Sequence, residues 1–148
     1  MITRKVKTIV SGFGKIPVYK TELSAGADLY AANVHDVTLE PLQRAVIPSG
    51  IRIELPEDAE CQIRPRSGLF SKNGILAAGT IDADYQGEVG IMIVNLGSEP
   101  FIVKRGERIA QAVFNGAGGL FQANFVKVDG FTRESERGEG GFGHTGKN

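Results

Sequence analysis

Nine short runs rich in β-branched and aromatic residues, "VKTIV", "DVTLE", "RAVIP", "GIRIELP", "CQIRP", "VGIMIVN", "FIVK", "RIAQAVF" and "ANFVKV", are cut by turn residues at near-regular intervals. That spacing predicts an all-β sandwich or barrel. In "GIRIELP" Ile51, Ile53 and Leu55 alternate with Arg52 and Glu54, the period of a strand with one wet face. "VGIMIVNL" is apolar at both parities, so a strand from Val89 to Leu96 is expected to be covered on both sides, in the middle of a sandwich or at a subunit contact. One short helix is expected around Ser67 to Asn73, since no other segment offers apolar spacing of three and four. A chain of 148 residues buries one core, giving a single β domain over 1–130. From Gly130 onward too few large apolar residues remain to bury the backbone, and 131–148 reads as a flexible C-terminal arm.

Charge narrows the classes of ligand. Lys plus Arg and Asp plus Glu are both 17, so no global positive field favours nucleic acid or an acidic membrane, and any anion must be met locally. "MITRKVKTIV" lacks the apolar run and cleavage site of a signal peptide, and no apolar segment approaches the ~20 residues of a membrane span. The cytoplasm is the expected location. One cysteine, Cys61, cannot form an internal disulfide and is expected to be a small buried or edge residue; with only His35 and His144 a zinc cage is nearly excluded.

Five stretches carry polar groups that turn and strand chemistry only partly explain. "TIDADYQGEVG", Thr80 to Gly90, places Asp82, Asp84 and Tyr85 in a tight turn between two apolar strands. Turn hydrogen bonding accounts for one Asp; a cleft-facing Asp82 would be a general base for water. "PRSGLF" puts Arg66, Ser67 and Gly68 at the start of the short helix, either as a Ser67 cap with a solvated arginine or as an anion site. "SAGADLYA" holds a single charge, Asp28, which is a turn or ladder-end residue with satisfied hydrogen bonds or an outer-sphere partner of Mg²⁺. "RGERIAQAV" has Gln111 as the odd polar residue, facing outward or offering an amide to a phosphate. "GEGGFG" in the tail fails the strand and helix context of a glycine fingerprint, which leaves Phe142 able to stack on a ring and Arg137 and Thr145 able to reach phosphate oxygens.

Read jointly, "SAGADLYA", "PRSGLF", "GTIDADYQGEV", "GERIAQ" and "RGEGGFGHTG" stand in the order and approximate spacing of the five motifs of the trimeric dUTPase family. The resemblance covers nearly the whole chain, from about "IPVYKTELSAGADLYA" to the last residues. It implies an antiparallel jelly-roll subunit in a homotrimer, with each of three active sites assembled from all three chains. By analogy the first, second and fourth motifs hold the triphosphate through Arg66, Ser67, Gly68 and Gln111, and Mg²⁺ bridges the phosphates with Asp28 touching its water shell. Asp82 would activate the water that attacks the α-phosphorus, giving dUMP and diphosphate. Tyr85 would lie under the deoxyribose. Backbone groups near Gly79, Thr80, Ile81 and Gly90 would pair with uracil, and Arg137, Phe142, Gly143 and Thr145 would close over the nucleotide from another subunit. The segment "NGILAAGTID", Asn73 to Asp82, is compact where many bacterial members carry an Asn and a longer loop, so no side chain is assigned to uracil.

Two rival readings remain at this stage. dCTP deaminase, including its bifunctional members that also cleave the triphosphate, is a sister family on the same fold that needs a Glu on the strand after the hairpin, and "VGIMIVN" has no acid. A non-catalytic nucleotide-binding relative would be expected to lose Asp82 or the tail, and both are present.

Overall fold

The computed structural model describes residues 1–133, 137–141 and 146. The ten strands among the described residues are β1 (Thr3–Val10), β2 (Gly26–Tyr30), β3 (Val37–Leu39), β4 (Arg44–Glu54), β5 (Glu60–Arg64), β6 (Ile75–Ile81), β7 (Glu88–Asn95), β8 (Phe101–Val103), β9 (Arg108–Gly116) and β10 (Gly119–Lys127). The single helix among the described residues, α1, spans Ser67–Asn73. The strand-rich fold expected from the sequence is present, and its sheet closes on itself. Order β10-β1-β4-β7-β6-β5-β9 returns to β10 through a β9–β10 pairing. β2 shares the free edge of β9, pairing over Arg108 to Val113 while β10 takes Phe114 to Gly116. One pair departs from the antiparallel expectation, because β1 runs parallel to β10 from Thr3↔Gln122 to Thr8↔Lys127. β3 and β8 form a separate two-stranded sheet.

Alternation turns into packing as expected. Ile51, Ile53 and Leu55 are buried while Arg52 and Glu54 are half-exposed. "RAVIP" and "GIRIELP" are one strand rather than two. β4 bulges between Pro48 and Arg52, pairing with β7 as far as Pro48↔Gly90 and again at Arg52↔Glu88, and joining β1 on its other edge from Ile51↔Val10. A bulge of this kind bends a strand and lets one strand serve two neighbours. Phe114 and Phe121 fill the interior with ring centroids 5.9 Å apart, and Phe125 meets Phe114 edge-on at 5.8 Å. Cys61 is buried with its thiol pKa pushed up by desolvation.

Helix α1 stops at Gly74, whose left-handed φ of 71° lets its N–H return to the Phe70 carbonyl. A Cβ there would also lie 2.5 Å from Gly97 N. Arg66, not Ser67, occupies the N-cap position, and no side chain caps the helix. The alternative of a Ser67 cap therefore does not hold.

β7 is covered on one face only. Val89, Ile91 and Ile93 are buried, but Met92 remains 37% exposed and Val46 beside it on β4 52%. With Ala45, Leu76, Ala78 and Val94 they line a largely apolar cleft of ≈ 490 Å³. The middle-of-sandwich alternative for this strand fails, since one side of it has no covering layer in a single chain.

Candidate active site

The third-motif stretch is a hairpin that opens. β6 and β7 pair from Ile75↔Asn95 to Ala78↔Met92 and then separate. Gly79 to Ile81 continue on β5, opposite Ile63 to Cys61, while Gly90 pairs with Pro48 of β4. The facing edges near Gly79, Thr80, Ile81 and Gly90 thus have no ladder between them. Asp82 sits at the end of that gap, where the Tyr85 N–H donates to its carbonyl at 3.1 Å and makes the turn that the sequence predicts.

Asp82 has a half-exposed side chain, and its Oδ2 accepts from Arg137 Nη1 at 2.7 Å. Arg137 Nε is also 3.3 Å from Asp84 Oδ1. The described part of the tail therefore lies on the hairpin of its own chain, held further by Gln86 N–H to Gly138 O at 2.6 Å and by Arg52 to Glu139 at 3.4 Å. Tyr85 donates its hydroxyl to Glu88 O at 2.7 Å, and its ring packs on Gly87 and Gly141. Burial first, then the charges of Glu88 and Glu139, raise the Tyr85 pKa, so its hydroxyl stays a donor.

The second group of residues is a guanidinium cluster built on β2, β9 and the start of α1. Asp28 is buried on β2 opposite Gln111 of β9. Its Oδ1 is 3.4 Å from Arg66 Nε and its Oδ2 3.5 Å from Arg108 Nη1. Arg66 Nη1 also donates to the Arg108 carbonyl at 3.0 Å. Gln111 Nε2 donates to Pro65 O at 2.9 Å, so the amide holds the residue that precedes Arg66. Ser67 and Gly68 are exposed beside this cluster. Phe142, Gly143 and Thr145 lie outside the described residues.

Sequence reasoning missed four contributors. Arg108 joins the cluster, and its one signal was a basic residue three places before Gln111 in an otherwise apolar strand. Arg133 donates to Ala83 O at 2.8 Å and Leu55 O at 3.0 Å, Arg52 donates to Gln86 O at 2.7 Å, and the Gln86 side chain donates to Arg133 O. No local pattern announces these long-range contacts.

The two groups stand apart within one chain. Ile81 is opposite Cys61 on β5, so Asp82 lies at one end of that ladder and Arg66, five residues on from Cys61, beyond the other. About 15 Å of extended chain separates those positions. Among the described residues no three His, Cys, Asp or Glu side chains cluster as a metal site. That donor set fits an ion carried by a ligand's phosphates, because Mg²⁺ keeps several waters and takes one or two carboxylates at most.

The barrel thus offers a carboxylate at an open hairpin and paired guanidiniums beside a short helix. The family model described as dUTPase matches residues 14–146, and the chain belongs to that family. It is 48% identical over 145 residues to the deoxyuridine 5'-triphosphate nucleotidohydrolase of Rickettsia bellii, covering 96% of this chain and 94% of that protein. The Cytophaga hutchinsonii protein of the same name is 46% identical over 149 residues, covering 99% and 94%. The Staphylococcus bacteriophage 80alpha dUTPase, solved with dUPNHPP, superposes with a TM-score of 0.70 at 28% identity, covering 96% of this chain and 98% of that one.

Proposed function

We infer that this chain is a dUTP diphosphatase, hydrolysing dUTP to dUMP and diphosphate, which keeps dUTP low and supplies dUMP. The observation that carries the mechanism is Asp82 at the mouth of a hairpin whose strands stop pairing at Ala78↔Met92. Uracil enters that gap and pairs with backbone groups of Gly79 to Ile81 and Gly90. Cytosine presents the opposite donor and acceptor at two positions, and a site built on hydrogen bonds rejects such a mismatch strongly. The Tyr85 ring lies under the deoxyribose and leaves no room for a 2′-hydroxyl. Asp82 takes a proton from the water that attacks the α-phosphorus, and diphosphate leaves. Arg66, Ser67, Gly68 and Gln111 hold the phosphate chain. Asp28 would hold Mg²⁺ through water beside the phosphates, and the ion would supply neutralisation of the triphosphate charge. Positioning and charge neutralisation supply most of the rate.

The site is shared between copies in a homotrimer. The separation of Asp82 from Arg66 in one chain supports this, as does the uncovered apolar cleft around Val46 and Met92. The arm, 131–148, closes over the nucleotide of another subunit, with Phe142 on uracil and Arg137, Gly143 and Thr145 toward phosphate. Arg137 already meets the hairpin carboxylates in the free chain. A cytoplasmic setting fits a nucleotide substrate, and among the described residues no helix is long and apolar enough to cross a membrane.

Diphosphate release assayed across dUTP, dCTP, dTTP and UTP, with and without Mg²⁺, tests the reading. Release from dUTP alone is expected; equal release from UTP or none from dUTP overturns it. The deaminase alternative needs the dCTP arm of that assay, because β7 begins at Glu88 and so carries an acid that "VGIMIVN" did not include. Conversion of dCTP would favour that sister family. For sharing, Asp82→Asn chains are mixed and refolded with Arg66→Gln chains. Regained activity is expected when sites draw on different copies, and its absence overturns sharing.

A further inference from the structure

The turn that carries Asp82 projects from the barrel. β6 leaves β7 after Ala78↔Met92, its last pair on β5 is Ile81↔Cys61, and residues 82–87 belong to no strand. Two carbonyls meet beside this turn, Ala83 O within it and Leu55 O just after β4, and as acceptors they cannot bond to each other. Arg133 Nη2 donates to both, at 2.8 Å and 3.0 Å, one hydrogen to each. The Arg133 backbone is itself held on both sides. Its N–H donates to Glu54 Oε2 at 3.3 Å, and its carbonyl accepts from the side chain of the buried Gln86. The turn from Ala83 to Gln86 is thus closed by Arg133 into one ring of bonds. The same guanidinium faces Glu57 at 3.8 Å, but that carboxylate is 83% exposed and a surface pair of this kind contributes little.

We propose that Arg133 is a positioning residue for hydrolysis, tying the Asp82 turn to the end of β4 and so fixing the carboxylate that takes the water's proton, a role that rests on the dUTP reading above. Arg133 does not touch the nucleotide; it acts through the backbone of the turn. Common turn types differ by a rotation of their central peptide, from about −30° to about +120° in ψ at the first central residue. Ala83 O belongs to that peptide, between Asp82 and the Tyr85 N–H that donates to it. Leu42 is the one described non-glycine residue with a positive φ, so Asp84 keeps the negative φ of a single peptide orientation, and the bond from Arg133 holds it there. The side chain of Asp82 cannot supply this placement. Its 2.7 Å contact is to Arg137, which must shift when the arm closes on a nucleotide, whereas Arg133 stands at the arm's root and stays with the hairpin.

The test is single-turnover hydrolysis of dUTP beside calorimetric binding of the imido analogue dUpNHpp, both with Mg²⁺, in the full-length wild type, Arg133→Met and Lys7→Ala. Arg133→Met keeps an apolar stem and loses both carbonyl bonds. Its rate should fall about tenfold or more, the scale of a small misplacement of a reacting group, while dUpNHpp affinity stays within about twofold. Lys7→Ala removes the neighbouring bond to Thr132 at 2.9 Å, which loosens the same segment without touching the turn, and both readouts should stay at wild type. Arg133→Lys, which keeps the charge on a shorter stem, is the second variant and should show the same split should Arg133→Met fold poorly. An unchanged rate in Arg133→Met overturns the proposal, as does a wild-type rate in Arg133→Lys, since charge alone would then suffice. Equal losses of rate and affinity, or the same loss of rate in Lys7→Ala, also overturn it, because the segment would then act on the fold or the arm as a whole. If the wild type neither binds dUpNHpp nor hydrolyses dUTP, the dUTP reading itself has failed.

Discussion

Gly26→Ala is the sharpest test of how the guanidinium cluster is held. A Cβ at Gly26 would lie 2.2 Å from Gln111 Oε1, 2.9 Å from Cδ and 3.1 Å from Cβ. β2 cannot retreat, because Gly26 is paired with Val113 and its neighbours with Ala112 and Gln111. The amide must swing away, and its bond to Pro65 O at 2.9 Å is lost. One net hydrogen bond costs about 1 kcal/mol and a displaced rotamer about another, so the loss is roughly 2 kcal/mol. For a chain near this length that is a fall in Tm of about 4–8 °C. Freed from Gln111, Pro65 no longer fixes the backbone entering Arg66, and KM for dUTP should rise several-fold with smaller change in kcat. Gly130→Ala is the control, since a Cβ there meets nothing within 4 Å; its stability should stay within about 0.5 kcal/mol of wild type. Thermal melting gives the stabilities, and a diphosphate-release assay gives KM. The clash predicts coupling too: Gly26→Ala should cost much less when made in Gln111→Ala than in wild type. Wild-type Tm and KM for Gly26→Ala, or full additivity with Gln111→Ala, would refute the reasoning.

Asp82→Asn should keep dUpNHpp binding but lose kcat by about 10²–10⁴-fold, the usual range for a general base, and near-normal turnover in a steady-state assay rejects Asp82 as the base. Removing residues 137–148 takes Arg137 and Gly138 off the hairpin; activity should drop sharply while the mass in solution measured by light scattering is that of the full chain's assembly, and a fully active truncation ends the arm hypothesis. Tyr19 is half-buried and its folded pKa is raised from 10.0 to about 12 by desolvation, outweighing the Ala123 N–H that donates to it. Its folded form resists ionisation, so the stability involved is complete below pH 10 and lost as pH rises toward about 12. Phenolate absorbance should show a group titrating near pH 12 that Tyr19→Phe removes.

What the sequence revealed was what local pattern controls. Alternation around Ile51 to Leu55, the helix at Ser67–Asn73 and the Asp82 turn all appear at their expected places because side-chain period and turn chemistry act within a few residues. β2, "GADLY", was read as isolated polar chemistry and not as a strand, since Gly, Ala and Asp have low strand preference. It becomes one through its β9 ladder and the Val18 bridge, both set by residues distant in sequence. The parallel β1–β10 pair joins the two ends of the domain, a contact no window of sequence contains. In the site, residue types pointed to Arg66, Gln111, Asp82 and Tyr85. Their partners were hidden: Gln111 spends its amide on Pro65, and Asp28 spends both oxygens on arginines.

The packing of the barrel explains why the site is divided. Seven strands close a ring too narrow for a ligand, and Phe114, Phe121, Ile47, Ile91 and their neighbours occupy the interior. A nucleotide can therefore be met only on the outside, where strands end or part. Among the described residues two such places carry the candidate site groups. One is the gap beyond Ala78↔Met92, which offers backbone edges and Asp82; the other is the junction of β2, β9 and α1, which offers fixed guanidiniums. Because β5 spans the distance between them, neither can move toward the other without breaking ladders on both of its sides. Each is rigid and each is half-open to solvent. Excluding water from a phosphate reaction at such places requires a cover that the barrel cannot supply, and a second copy or the tail segment that already rests on Asp82 can supply it.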